Sequence, residues 1–367
     1  MIIKIKNCDL SYYIASFTQN GNVLKNMLDK NYNVAFLKEQ KLILYPMNKE
    51  IMLQDEERKQ FSEVTDYSIL EMTPGNVYIY YDASSLDNAL FITNRCNSNC
   101  IMCPTSSIVR KNDPIENIHN LLKISSQIPN DSAHITITGG EPFLLRKDIF
   151  SLFKYLKDNL NDVEYLLLTN ARALSNKEYF ELFKQTIPDN LLIGIPIHGH
   201  NATRHDAITR ANGSFKQTMT AIHRLMSTHI RVEIRIVVSL LNIDDIEEIA
   251  KLIVKECKGV YTVKFIGLEM LGNARRNLKN VWINYKDSFE QMKSAIDLLI
   301  KNEIDVAIYN YPLCCVDRAY WPICEKSITD YKVRYLSQCE NCIKKDACGG
   351  MFSGTYNLMK GVIKPIL

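Results

Sequence analysis

The sequence has almost no net charge and no long apolar run. Forty-four basic residues against 41 acidic ones leave a formal +3 over 367 residues. Nothing electrostatic draws such a chain to a polyanion, so nucleic acid is excluded as the default partner. Nothing approaches 18 consecutive apolar residues, which excludes a membrane-spanning helix. The N-terminal stretch MIIKIKNCDLSYYIASF lacks the apolar core and small-residue cleavage site of a signal peptide, so the cytoplasm is the expected compartment. Repeats and low-complexity tracts are absent too. What remains is an ordinary globular composition, 46% apolar and 23% charged, long enough for two or three domains.

Cysteine is the residue in excess, with eleven copies. A reducing cytoplasm disfavours disulfides, so these thiols need another explanation. Cys96, Cys100 and Cys103 fall within eight residues, and Cys314, Cys315, Cys324, Cys339, Cys342 and Cys348 crowd near the C-terminus. Cys8 and Cys257 stand alone and read as small buried hydrophobes. Clustered thiols in this compartment suggest metal ligands.

Residues 1–85 read as a small α+β unit. MIIKIKN, YNVAFLKE, KLILYPM and GNVYIYYD show period-two alternation or β-branched and aromatic enrichment. From residue 89 strands alternate with helices. ALFITN, AHITIT, VEYLLLT, LLIGIPI, IRVEIRIVV and VYTVKFIG are apolar strands, separated by helical segments such as KDIFSLFKYLKDNL and SFKQTMTAIHRLMSTH. Ser214 with Gln217, and Ser288 with Gln291, read as capping boxes opening two helices. This alternation means parallel pairing and right-handed crossovers. Six such units do not close as eight do, so the expected fold class is α/β, a partial (β/α)6 barrel over 86–300. A seventh strand, IDVAIYN, leads into a cysteine-rich C-terminal domain over 301–367.

The first cysteines form CxxxCxxC directly after the first barrel strand, at the strand edge where β/α barrels put their chemistry. Three thiolates are one short of the four that fill an ordinary [4Fe–4S] cluster, and a catalytic metal site keeps one position open. A zinc loop borrowing a fourth ligand is the plain alternative. The second strand ends in Thr138-Gly139-Gly140-Glu141-Pro142. Paired glycines there permit close approach to the backbone, and the glutamate offers an acceptor suited to an ammonium group. Glu233 and Arg235, two apart on the fifth strand, share one face, as lumenal contacts or as an ion pair.

From about residue 89 onward the sequence resembles the radical S-adenosylmethionine (radical SAM) superfamily. The resemblance implies that Cys96, Cys100 and Cys103 hold a [4Fe–4S] cluster whose fourth iron is chelated by SAM. One-electron reduction would then release a 5′-deoxyadenosyl radical that abstracts hydrogen from a substrate. Met102 takes the family's position against adenine, and Gly139, Gly140, Glu141 and Pro142 match the segment receiving the SAM amino group. Thr169 and Asn170 close the third strand where the family has a polar SAM contact. The stretch His198-Gly199, His205-Asp206, Arg210 and Gly213-Ser214-Phe215 resembles SLDG…HD…R…GSF. Here Pro196 replaces the serine and His198 the aspartate, so His198 is either a ribose contact or a histidine satisfied in its loop. Arg210 is the candidate for the SAM carboxylate, and Arg235 a further SAM-binding candidate.

Cys339-x2-Cys342-x5-Cys348-Gly-Gly resembles the core of the auxiliary-cluster domains called SPASM and twitch. Phe352 stands where the longer SPASM pattern has a cysteine, which favours one auxiliary [4Fe–4S] cluster. Cys314 is the expected fourth ligand and Cys324 the runner-up, with a four-cysteine zinc site as the alternative. The stretches FIGLEMLGNARRNL, YNYPLCC and CENCIKKDACGGMFSG look like the His-Xaa-Ser system maturases. That likeness implies modification of a ribosomally made precursor peptide, a paired radical SAM maturase and an electron donor such as flavodoxin or ferredoxin. The size, β content and position of residues 1–85 allow peptide recognition, with a structural or docking module as the plain alternative. A small-molecule substrate, or a silent partner that only binds peptide or passes electrons, are the alternatives.

Overall fold

The computed structural model describes residues 2–328 and 332–367. Its first sheet is built from β1 (Ile2–Lys4), β2 (Tyr13–Thr18), β3 (Val34–Lys38), β4 (Lys41–Tyr45), β5 (Lys49–Met52), β6 (Ile69–Thr73) and β7 (Asn76–Tyr81), in the order β1-β7-β6-β2-β3-β4-β5. The second holds β8 (Ala89–Phe91), β9 (His134–Thr138), β10 (Glu164–Leu168), β11 (Leu191–Pro196), β12 (Arg231–Val237), β13 (Thr262–Ile266), β14 (Val306–Tyr309) and β15 (Cys324–Glu325). These eight lie in chain order and pair in parallel throughout. A last ribbon pairs β16 (Val333–Arg334) with β17 (Met351–Phe352).

Each gap from β8 to β14 carries a crossover helix: Ile118–Ser125, Asp148–Asn159, Lys177–Thr186, Ser214–Met226, Ile246–Glu256 and Tyr285–Lys301. This is the partial (β/α)6 barrel, with β14 as its seventh strand. The sheet passes residue 300 by two strands, so the cysteine-rich tail grows directly from the barrel edge. Strand interiors such as Ile135, Ile137, Leu167, Ile193, Ile234 and Phe265 are buried, as expected for strands covered on both faces.

Residues 1–85 do not stand apart. Ile14, Ile69 and Tyr81 belong to the barrel's own core. Gln127 Oε1 accepts from Ser16 N at 2.9 Å and Ser16 Oγ at 3.1 Å, and Tyr81 Oη lies 2.6 Å from Ser132 Oγ.

Neither expected capping box forms. The helix from Ser214 is preceded by Gly213 in a left-handed conformation, and the Ser214 hydroxyl donates instead to Asp206 Oδ1 at 2.7 Å. The helix containing Ser288 begins earlier, capped by Asn284, whose side chain accepts from Asp287 N. Ser288 is left inside it, buried and bonded to Tyr285 O. Local hydroxyl-to-backbone capping lost to better-placed partners in both cases.

Candidate functional site

The C-terminal ends of β8 to β12 converge on one cavity of about 270 Å³. Cys96, Cys100 and Cys103 line it from the loop after β8, facing Gly139 and Gly140 after β9 and Thr169 and Asn170 after β10. His198 and Arg235 complete the expected residues present. The barrel thus gathers side chains more than 130 residues apart in sequence, which is what parallel strands in chain order do with their ends.

The paired glycines serve the chain itself. A Cβ on Gly140 would lie 2.2 Å from Arg95 O and 2.5 Å from Asn94 O, and one on Gly139 would lie 2.5 Å from Thr93 O. Gly139 also has φ +152°. Only glycine lets the root of the cysteine loop approach this closely, through Gly140 N to Thr93 O at 2.6 Å and Glu141 N to Arg95 O at 2.9 Å. The molecule that approaches the backbone is the cysteine loop.

Glu141 takes a different place from the one expected. Its carboxylate is 1% exposed and does not line the cavity. Oε1 accepts from Phe143 N at 3.1 Å and Thr169 Oγ1 at 2.7 Å, and Oε2 from Asn170 N at 2.9 Å. Burial raises its pKa, and these donors only partly offset that. Glu141 therefore ties the end of β9 to the end of β10. Pro142 opens a buried 3₁₀ turn, Pro142–Leu145, and also lies outside the cavity lining. Phe143 of that turn packs edge-on against Phe153 and Phe183, with centroids at 6.3 and 5.8 Å. Each such pair contributes about 0.5–1.5 kcal/mol beyond its burial.

Two further candidates also lie outside the cavity lining. Arg210 caps the helix Ala202–Thr209 in a left-handed conformation, φ +51°, and is exposed on a separate recess beside Asp206 and Asn212. That turn carries its side chain away from the cysteines. Met102 is buried against Ile208, Leu268 and Met270 and does not line the cavity.

The cations of the cavity include two that the sequence did not single out. Arg172 Nη1 donates to Asn97 O at 2.7 Å and Ser98 Oγ at 3.1 Å, and its Nε to Gln217 Oε1 at 2.7 Å. Arg110 is buried, donates to Ser98 O at 2.8 Å and to Asn99 Oδ1, and keeps Nε without a partner in the protein. Arg235 pairs with buried Glu233 at 2.5 Å, so the two readings of that pair coexist: ion pair and cavity wall. An arginine two residues past a strand-end Asn170 was the one available signal for Arg172.

Burial pushes the Cys96 thiol up to about 11 and Cys100 to about 12, against the opposing pull of Arg110. Such thiols bind as thiolates only with a metal's charge beside them. His198 is buried, its Nδ1 has no partner in the protein, and burial holds its pKa down at about 3. Three thiols on one loop, facing a cavity walled by unpaired polar atoms, fit a cluster and a polar cosubstrate.

The second cysteine set also comes together. Cys314, Cys339, Cys342 and Cys348 line one small cavity with Pro312 and Lys364, whereas Cys315 and Cys324 do not. Cys348 Sγ accepts from Leu313 N and Gly350 N, both at 3.4 Å, and Cys342 Sγ from Ile366 N at 3.4 Å. The Cys315 thiol donates to Cys314, which holds the Cys314 thiol below its ordinary range and pushes Cys315 up. Of that adjacent pair, Cys314 is the one suited to act as a thiolate. Among the described residues no three Cys, His, Asp or Glu side chains converge as closely as the ligands of a single ion, and no helix is long and apolar enough to cross a membrane.

Sporulation killing factor maturation protein SkfB of Bacillus subtilis (strain 168) is 25% identical over 301 residues, 78% of this chain and 68% of that protein. GTP 3′,8-cyclase of Lactiplantibacillus plantarum is 25% identical over 228 residues, 59% of this chain and 64% of that protein. Among solved structures, Streptococcus suis SuiB bound to precursor peptide SuiA superposes with TM-score 0.51 at 13% identity, over 62% of this chain and 49% of that one. At that identity the likeness concerns the fold alone, and this chain spans about half of the other's length. Residues 90–253 match the model of the radical SAM superfamily; that stretch of the barrel is a radical SAM domain.

Proposed function

We propose that this protein is a radical SAM maturase of a ribosomally synthesised precursor peptide, of the His-Xaa-Ser type, acting in the cytoplasm with a paired maturase and a small electron-donor protein. In this reading Cys96, Cys100 and Cys103 hold the SAM-binding [4Fe–4S] cluster. Cys314, Cys339, Cys342 and Cys348 hold one auxiliary [4Fe–4S] cluster. The observation that carries the first assignment is the cavity in front of the three thiols. The peptide substrate is supported by the match to SkfB over most of the chain.

When bound, the cluster and SAM supply one-electron cleavage of a sulfonium and hydrogen abstraction from carbon. The chain's own residues bind and orient. Arg110, Arg172 and Arg235 bring positive charge to a cavity that must accept a carboxylate. Neutral His198 offers a ring nitrogen to a hydroxyl, and Asn170, 2.6 Å from Asn97 Oδ1 and 3.9 Å from Cys96 Sγ, steadies the first ligand.

Anaerobic protein given SAM and a strong reductant is expected to release 5′-deoxyadenosine, and to shift the mass of its precursor peptide. No 5′-deoxyadenosine from a sample with its iron and sulfide intact would sink the enzyme reading. The similarity to GTP 3′,8-cyclase makes a nucleotide the second reading: SAM cleavage stimulated by GTP, with peptide mass unchanged, decides for it.

The auxiliary assignment makes its own prediction. Reconstituted protein is expected to hold about eight irons per chain, two full clusters. Cys314→Ala should lower this to about four, while Cys324→Ala leaves it at about eight. The reverse outcome would move the fourth ligand to β15.

A further inference from the structure

We infer that Asn273, on the short helix Gly272–Arg276 after β13, is a positioning residue for the catalytic cysteine loop. The inference rests on the reading of Cys96, Cys100 and Cys103 as cluster ligands and adds a residue to it. Asn273 lies 173 positions from Cys100 and is 5% exposed. Its side chain is almost fully committed to the loop. Nδ2 donates to Cys100 O at 3.1 Å and Asn99 Oδ1 at 3.2 Å, while Oδ1 accepts from Ser107 N at 3.0 Å. Its backbone N–H donates to Cys103 O at 2.9 Å, joined by Ala274 N at 3.2 Å.

The neighbours of Asn273 serve the same end. Asn277 Nδ2 donates to Ile101 O at 3.1 Å. Gly272 has φ +52°, and a Cβ there would lie 2.2 Å from Pro104 O, so this helix starts in contact with the end of the cysteine motif. From the other side, Asn99 N and Ile101 N donate to Thr209 O and Ile208 O at 2.9 and 3.0 Å. The peptide planes between the ligands are thus held on both their N–H and C=O sides. A cysteine sulfur sits one bond beyond Cβ, so fixing the planes on either side of Cys100 narrows where its sulfur can go. A buried amide that satisfies three loop groups does this better than water, which exchanges.

The segment is itself braced by the tail and by the helix Tyr285–Lys301. A Cβ on Gly354 would lie 2.7 Å from Met270 O, Tyr285 Oη donates to Leu268 O at 3.2 Å, and Leu358 packs on the Met102 cluster. Asn273 therefore stands on a rigid support.

The test reads the cluster directly, in full-length protein. In wild type, SAM is expected to change the electron paramagnetic resonance spectrum of the reduced protein, and that change reports only the cluster with an open iron. Asn273→Asp keeps shape and the acceptor for Ser107 N but loses both donors. It should fold, weaken the SAM-dependent change by about 10- to 100-fold in SAM concentration, and release iron to a chelator faster, the range seen when a group orienting a metal ligand is lost. Asn277→Ala, which removes the side-chain bond to Ile101 O, should shift both readouts the same way by a smaller factor, and it decides the matter if Asn273→Asp does not fold. Wild-type spectra and iron release in both variants would overturn the positioning role alone. No SAM-dependent change in wild type would overturn the cluster reading and this inference together.

Discussion

Gly140→Ala is expected to strip the first cluster site from the protein while leaving the barrel recognisable. The new methyl would sit 2.2 Å from Arg95 O and 2.5 Å from Asn94 O, distances at which backbone must move. Overpacking of this kind costs about 1–3 kcal/mol, occasionally more. Here the atoms that must yield begin the loop carrying Cys96. Moving them breaks Gly140 N to Thr93 O and Glu141 N to Arg95 O, the bonds that register the loop on the end of β9. We expect iron bound per chain to fall by about four, a whole cluster, and the SAM-dependent spectral change to vanish. Gly213→Ala is the control. Gly213 also has a positive φ, +76°, but no atom lies within 4 Å of its Cβ position. It should lose about 1 kcal/mol for the left-handed conformation and keep its iron. If Gly140→Ala unfolds at the wild-type temperature with full iron content, the tight contact between β9 and the cysteine loop is not what holds the site.

The same contact shows what could be read from the chain and what could not. The barrel strands were legible because fully covered parallel strands spell near-continuous apolar runs. The cysteine spacings were legible because each set lies within a few dozen residues. β2 was not, since YIASFT is buried at all six positions and shows no alternation. β15 has only two residues and exists because Cys324 and Glu325 pair with Ile308 and Tyr309. Candidates whose place follows from a strand end, Asn170 and His198, line the cavity. Where a distant partner decides the position of a side chain, the local pattern says little. Glu141 was expected to face a ligand, but Thr169 and Asn170, which the topology puts beside it, claim its oxygens. Arg210 and Arg172 exchanged places as cavity cations because a left-handed helix cap turned one out and a strand end carried the other in. Asn273 had no local signal, since its partners lie more than 160 residues away.

Acid is expected to weaken the fold through two histidines inside the cavity. Burial holds His198 at about 3 and His205 at about 4, and in the latter case Asp206 pulls upward while Arg172 pushes down. The unfolded chain protonates both near 6.5. Between roughly pH 6.5 and pH 4, therefore, the unfolded state binds protons that the native state refuses, and stability falls as pH falls. Each histidine contributes a slope of up to about 1.4 kcal/mol per pH unit across that window. Glu71, Glu141 and Glu269, all raised by burial, act in the opposite sense above their unfolded values, so the total slope is smaller than the histidine share. The comparison that isolates it is wild type against the double variant His198→Asn, His205→Asn, each unfolded in denaturant at pH 7 and pH 5. The variant should lose less stability over that interval, by about 1 kcal/mol or more per histidine removed. Equal losses would mean that these rings are not held neutral. A histidine that stays uncharged throughout the physiological range can give a hydrogen bond but no positive charge. The positive charge of the cavity wall then comes from Arg110, Arg172 and Arg235.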